Sequence, residues 1–273
     1  MKTIITCAMT GGATPHETNP YIPCSPKEVA DDVIRVWKSG AAICHIHTRN
    51  DAFKGTLDIN NFRETVKRIR GECDVVLNLT TTTEQEDMDF ERRIEHIVEL
   101  RPEMCSFNAG SINLLPDGLL RSPVSFHKIL AQATEEYGVK PEMEIMDAGW
   151  ITNTTYYIKQ GILKPPLVYQ LVLGIFSGMP ASPESLFFYK NLLPEGSHWS
   201  AFGIGKAHLP ILFTALALGG NIRVGLEDNL YYSRGKLATN DDLVKRAVRI
   251  VGEFGNEVAT PADAREILGL RKP

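Results

Sequence analysis

The sequence predicts a single-domain (β/α)8 barrel, a TIM barrel of the α/β class, on three observations. Eight short apolar runs recur along its 273 residues. Amphipathic stretches of helical spacing lie between them, and strands alternating with helices imply parallel pairing. The chain length also suits this fold, which takes about 250 residues. A doubly wound open sheet is the alternative. No linker, low-complexity tract or internal repeat divides residues 1–273.

The runs are TIITCAM (3–9), AAICHIH (41–47), DVVLNL (74–79), MCSFNA (104–109), EMEIMD (142–147), LVYQLVLG (167–174), HWSAFGIG (198–205) and NIRVGLE (221–227). Each is rich in residues that suit a buried strand. Four helices have legible signals. Residues 25–40 place Ser25 as N-cap, Pro26 at the first helical position, Glu28 in a capping box and Gly40 as the stop. Helical spacing also runs over 84–100 and 125–138. The stretch 240–255 starts on Asn240, a capping type, and closes the series.

Composition narrows the function. Hydrophobic residues make up 43% and charged residues 23%, as in ordinary globular proteins. The net charge is -4 and the basic residues are scattered, so no nucleic-acid or acidic-membrane surface is expected. Five cysteines, an odd number at wide spacing with no C-x-x-C, argue against a disulfide framework or a cysteine zinc site. They favour a reducing, cytoplasmic setting. The N-terminus reads as a first strand rather than a signal peptide, and no apolar run is long enough to span a membrane.

In a barrel the active site gathers at the carboxyl ends of the strands. The polar residues there are His45, His47 and Arg49 after strand 2, Thr80–Thr83 after strand 3, and Ser106 and Asn108 on strand 4. Strand 5 adds Glu142, Glu144 and Asp147, and strand 8 adds Arg223, Glu227, Asp228 and Asn229. Residues two apart on a strand face one side, so His45 and His47 point together. Two histidines and a glutamate are a common catalytic zinc set that keeps one position open. Glu227 ends strand 8, and strands 8 and 2 both flank strand 1 in a closed barrel. The other reading of H-x-H is a hydrogen-bonded histidine pair. Manganese, iron, cobalt or nickel would suit the same ligands.

The remaining candidates stay open. Asp228 is a general base or half of an Arg223–Asp228 ion pair. Glu144 sits in the apolar run MEIM, which is costly without a partner or a task. His208, after strand 7, is a pocket candidate, while His96 and His127 are expected at a surface or interface. Trp150, Tyr156 and Tyr157 line one end of the barrel or fill helix core. TGGATP after strand 1 is a loop near a ligand, but no G-K-[ST] makes it a P-loop.

The motifs ITCAMTGG, HIHTRN, PEMEIMDAG, RVGLEDN and ATPADAREILGL together resemble the β-keto acid cleavage enzyme family, nearly end to end. The resemblance implies a zinc-dependent barrel that exchanges acyl groups by Claisen chemistry. A β-keto acid and acetyl-CoA would give acetoacetate and a new acyl-CoA. It places zinc on His45, His47 and Glu227. Asp228 would deprotonate the acetyl-CoA methyl, with Arg223 positioning it, and Thr80, Ser106 and Glu144 would line the substrate site beside Asn108. It also implies a homotetramer.

Two departures stand out. TTTT replaces a Thr-Gly-Gly pattern after strand 3, and Ala13 stands where the founding member has an acid. Loss of that charge argues against an amino-bearing substrate unless Glu17 substitutes. Two other classes compete: an amidohydrolase-type metal hydrolase and a non-catalytic barrel. Amidohydrolases carry H-x-H on the first strand and add later histidines, a pattern not met here.

Overall fold

In the computed structural model, residues 1–82, 89–115 and 118–271 are described. Eight strands close into a barrel in chain order: β1 (Ile5–Ala8), β2 (Ile43–Ile46), β3 (Val76–Leu79), β4 (Met104–Asn108), β5 (Lys140–Ile145), β6 (Val168–Leu173), β7 (His198–Gly203) and β8 (Asn221–Val224). Each falls on one of the eight apolar runs, so the (β/α)8 expectation holds. The helices are α1 (Pro26–Lys38), α2 (Ile59–Glu72), α3 (Phe90–Arg93), α4 (Glu95–Leu100), α5 (Val124–Glu136), α6 (Ala148–Lys159), α7 (Pro183–Leu192), α8 (His208–Ala217), α9 (Asn240–Glu253) and α10 (Pro261–Leu268). Among the described residues, no helix is long and apolar enough to cross a membrane. The chain comprises two compact units, residues 1–80 with 222–273, and residues 81–221.

In the first unit, β8, β1, β2 and β3 pair in parallel, with Arg223 beside Thr6, Ala8 beside His45 and His45 beside Asn78. Ile5, Cys7, Ile43, Ile46, Val76 and Leu79 are buried. Each such aliphatic side chain contributes about 1.5–3 kcal/mol on burial. α1 starts as its sequence dictates: Ser25 and Glu28 form a full capping box, and Gly40 follows the helix at φ +115°. α9 starts differently. Thr239, not Asn240, is the N-cap, with Asp242 completing its capping box, and Asn240 is the first helical residue.

In the second unit, β4, β5, β6 and β7 pair in parallel. The register sets Asn108, Glu144, Gln170 and Ser200 side by side across these strands. The expected helix over 84–100 is two helices in its described part, broken at Ile94 (φ −113°, ψ 5°). Asp89 accepts from the Arg92 amide and fixes the first start. Residues 84–88 of that expectation lie outside the described residues. Arg93 is buried, with its guanidinium 3.8 Å over the Phe126 ring and donating to Thr81 O at 2.6 Å and Arg121 O at 2.7 Å.

His96 and His127 are both buried, contrary to the surface expectation. His127 Nδ1 pairs with the Tyr157 hydroxyl at 2.7 Å and Nε2 with Ser122 Oγ at 3.0 Å. A buried polar side chain needs such partners, and sequence alone does not reveal them. Trp150 and Tyr157 belong to the core, whereas Tyr156 is exposed.

Burial lowers the His127 pKa to about 4. The unfolded chain therefore takes up a proton near pH 6.5 that the folded protein refuses until about pH 4. Stability is expected to fall through that window, by at most about 1.4 kcal/mol per pH unit from this group. Urea unfolding at a series of pH values should show a shallower loss for His127→Gln. An unchanged slope in that variant would remove His127 from the acid response.

Candidate metal centre

Strand β1 carries the scaffold of the site. The Met9 amide donates to His45 O at 3.1 Å, and the Glu227 amide donates to Ala8 O at 3.3 Å. β2 and the segment after β8 are thereby anchored to the same strand end. Regular β2 stops at Ile46, and His47 is the next residue. The two imidazole rings lie 5.1 Å apart, edge to face.

His45 Nε2 and His47 Nε2 lie 3.6 and 3.7 Å from Glu227 Oε1. One ligand atom from each residue falls within 4.8 Å of the others. Among the described residues, Glu227 Oε2 and the ring nitrogens of His45 are buried without a hydrogen bond of good geometry, with Asn78 the polar neighbour of the His45 ring. Such atoms are costly unless something absent from the protein chain satisfies them. Burial holds His45 neutral, its pKa lowered to about 3 against the pull of Glu227, and lowers His47 likewise. Neutral imidazoles offer lone pairs. Burial alone would raise the Glu227 carboxyl; His47 and His45 when protonated, and Arg223 throughout, draw it down. Arg223 remains charged when the rings are neutral, so its contribution persists. Two neutral imidazoles, one carboxylate and orphaned donor atoms fit a divalent transition metal.

Arg223 is 2% exposed and carries both acids. Its Nη2 donates to Glu227 Oε1 at 2.7 Å. Its Nε and Nη2 donate to the two oxygens of Asp228 at 2.9 and 3.0 Å, a bidentate pair. The Arg223–Asp228 ion pair is thus present, and it places a buried carboxylate one residue from the metal-ligand candidate.

The loop after β1 is shaped by this centre. Gly11 sits at φ +59°, and a Cβ there would fall 2.8 Å from Glu227 Cγ. Gly225, at φ +143°, leaves only 2.0 Å between such a Cβ and Ala8 O. Only glycine serves at either position. Ala13 and Glu17 are exposed beyond this close approach.

Other predicted residues are placed as follows. Thr80 is buried just past β3, its amide donating to Ile46 O at 3.1 Å. In the second unit, Ser106 Oγ accepts from the Thr81 amide at 2.9 Å, and Asn108 Nδ2 donates to Thr82 Oγ1 at 2.7 Å. Glu142 and Glu144 are buried on β5, beside Ser106 and Asn108 in the register. Thr83 lies outside the described residues. Asp147 caps α6 through the Gly149 amide, and His208 is buried at the start of α8. Arg49 lies close enough to His47 for its charge to disfavour protonation of that ring. It donates to Thr10 Oγ1, Thr10 O and Phe53 O and binds two loops together.

Sequence reasoning passed over Asn240. It is fully buried, accepts from the Leu226 amide at 2.8 Å, and donates to Met9 O and Asp32 Oδ2, both at 2.8 Å. It thus grips the chain just before Glu227 and just before the glycine loop. Its only sequence signal is an Asn near a helix start, which reads as a cap. Asn240→Ala strands several buried groups and is expected to cost about 2–4 kcal/mol in urea unfolding. A loss below about 0.5 kcal/mol would contradict this role.

A barrel with a His-His-Glu cluster and an Arg-held carboxylate at its strand ends defines a candidate metal-dependent lyase or transferase. Comparison with known proteins narrows the class. Residues 2–270 match the model of the beta-keto acid cleavage enzyme family. The chain is 38% identical over 273 residues to a 3-keto-5-aminohexanoate cleavage enzyme of Fusobacterium nucleatum, covering 99% of each. It is 33% identical to a 3-dehydrocarnitine:acetyl-CoA trimethylamine transferase of Rhizobium meliloti, covering 99% of this chain and 97% of the relative. The apo structure of ObcA superposes with a TM-score of 0.79 at 20% identity, over 92% of this chain and 66% of that one, and shares the fold. The chain therefore belongs to the beta-keto acid cleavage enzyme family.

Proposed function

We propose that residues 1–273 act as one catalytic domain that exchanges acyl groups between a β-keto acid and acetyl-CoA, giving acetoacetate and a new acyl-CoA. The observation that carries this reading is the buried constellation of His45, His47, Glu227, Arg223 and Asp228. The relative named for acetyl-CoA supports the co-substrate. His45, His47 and Glu227 would hold zinc or another divalent transition metal. When bound, it withdraws electrons from the ketone and carboxylate oxygens of the keto acid and acidifies the carbon between them.

Atom balance decides what Asp228 does. Acetoacetate and a new acyl-CoA arise only if the C2–C3 bond of the keto acid breaks and C2 joins the acetyl carbonyl. A carbanion on the acetyl-CoA methyl would instead leave the original acyl group bonded to that methyl. The expected attack on the methyl is therefore replaced by attack at C2. Asp228 removes a C2 proton. C2 bonds to the acetyl carbonyl carbon and CoA leaves as thiolate. The thiolate adds to the original ketone carbon, C2–C3 breaks, and Asp228 returns the proton to C2. Arg223 orients Asp228 through its two hydrogen bonds. Thr80, Ser106, Asn108 and Glu144 are assigned to substrate binding. Ala13 supports a keto acid with an apolar or neutral polar side chain.

Free cysteines throughout support a cytoplasmic setting. Exposed Phe187, Phe188 and Leu192 on α7 and Phe213 on α8 support a homo-oligomer, a tetramer by resemblance to the family.

The test is a turnover screen of zinc-loaded protein with acetyl-CoA and a panel of β-keto acids. Acetoacetate and new acyl-CoA, both dependent on metal and thioester, are expected. Metal-bound protein that turns over none of them would overturn the reading. Glu227→Gln is expected to weaken zinc binding by about 10-fold or more in a competition with a chromophoric chelator, since the ligand set loses its charge. Unchanged affinity would remove Glu227 from the set. Asp228→Asn should keep its zinc and lose kcat by at least about 100-fold, and wild-type kcat would refute its role as base.

A further inference from the structure

The segment between Asp228 and α9 forms an antiparallel hairpin, Tyr231–Ser233 with Lys236–Leu237, that the chemistry above does not use. Its base is fixed. Asn19 is fully buried and donates to Leu230 O at 3.0 Å and Ala238 O at 2.9 Å. Three cations gather about Tyr232 of the hairpin, Lys236 from the hairpin and Arg246 and Arg249 from α9, and Arg234 lies at the hairpin's exposed turn. Lys236 Nζ lies 4.9 Å from the Tyr232 ring centroid, and the Arg246 guanidinium 4.4 Å. Arg249 reaches the Tyr232 hydroxyl and draws that phenol below its ordinary range.

Arg246 is the informative member. It is only 6% exposed. Its Nη1 donates to Tyr232 O at 2.5 Å, while its Nε and Nη2 are buried and without a partner. A buried guanidinium without an anion is expensive. The neighbouring acids on α9 are already engaged: Asp242 caps Thr239, and Asp241 pairs with Lys245 at 2.7 Å. Among the described residues, Asp242 is the one carboxylate whose charge is felt at Arg246, and Lys236 and Arg249 crowd the same ring, so positive charge there exceeds negative. Such a site fits a multiply charged anion, and guanidinium and ammonium groups recognise phosphate oxygens well.

We propose that this hairpin and the adjoining turn of α9 bind the phosphates at the nucleotide end of the CoA thioester. This assignment rests on the acetyl-CoA reading and extends it. Tyr232 is four residues from Asp228, at most about 14 Å along an extended chain. The pantetheine arm bridges that distance, with the thioester at Asp228 and the phosphates at the hairpin. Remote phosphate contacts of this kind lower KM without touching the chemical step.

The test compares acetyl-CoA with acetyl-pantetheine, which carries the same thioester but none of the nucleotide phosphates. In Lys236→Glu and Arg249→Glu, both exposed and remote from the core, KM for acetyl-CoA should rise about 10-fold or more. Within about 2-fold, kcat, KM for the keto acid and turnover of acetyl-pantetheine should stay at wild type. An unchanged KM for acetyl-CoA would overturn the assignment, as would an equal loss with both thioesters. A metal-independent readout separates this assignment from the acyl-exchange reading. Calorimetric titration with adenosine 3′,5′-bisphosphate should show binding to wild type and about 10-fold weaker binding to each variant. Binding to wild type without turnover would retire the acyl-exchange reading and leave this site standing. Turnover with equal bisphosphate affinity in wild type and variants would do the reverse.

Discussion

Arg223 supports two carboxylates from within strand β8, and the catalytic end of the first unit depends on that arrangement. Donated bonds of 2.7–3.0 Å reach Glu227 and both oxygens of Asp228. At 2% exposure the guanidinium has little water to fall back on. The acids in turn would be costly to bury without it. Breaking a buried pair by removing one partner typically costs about 3–5 kcal/mol, because the survivor is left uncompensated. Glu227 remains ionised for the same reason, beside imidazoles that burial keeps neutral. Burial sets the charge state of the imidazoles, and Arg223 favours the ionised form of Glu227.

The backbone around this cluster is equally constrained. β1 is the common neighbour of β2 and β8, and just where His45 and Glu227 emerge its end donates from the Met9 amide to His45 O and accepts from the Glu227 amide at Ala8 O. Gly11 and Gly225 give the room that any side chain would take from Glu227 or from Ala8. Asn240 joins the same strand ends from the outside through the Leu226 amide and Met9 O. Ligand geometry is therefore set by backbone bonds and by glycines, and less by the loops farther out, where Ala13 and Glu17 are exposed.

Much of this was legible in the sequence, and for physical reasons. Apolar runs marked every barrel strand because buried parallel strands need both faces apolar. Ser25, Pro26 and Glu28 announced α1 because capping chemistry is local. His45 and His47 were readable as a pair because side chains on a strand repeat every two residues, and Glu227 because barrel sites lie at strand ends. What failed to show was long-range pairing. His127 looks like a surface residue of an amphipathic helix until Ser122 and Tyr157 are seen beside it. Asn240 looks like a cap until its partners, from three distant segments, are known. Arg49 follows the histidine motif, and its bonds to Thr10 and Phe53, which tie two loops together beside His47, have no local signal. The break at Ile94 is a backbone departure that a continuous helical period in the sequence does not show.

Isotopic labelling reads directly which bonds form and which break. Acetyl-CoA carrying carbon-13 in both acetyl carbons would be turned over by zinc-loaded protein with an accepted β-keto acid, and the products read by nuclear magnetic resonance. If Asp228 acts at C2 beside the metal, both labels appear in acetoacetate, at its ketone carbon and methyl group, and the new acyl-CoA is unlabelled. Label released as acetate, or found in the new acyl-CoA, would contradict the exchange and point to hydrolysis or to attack by the acetyl methyl.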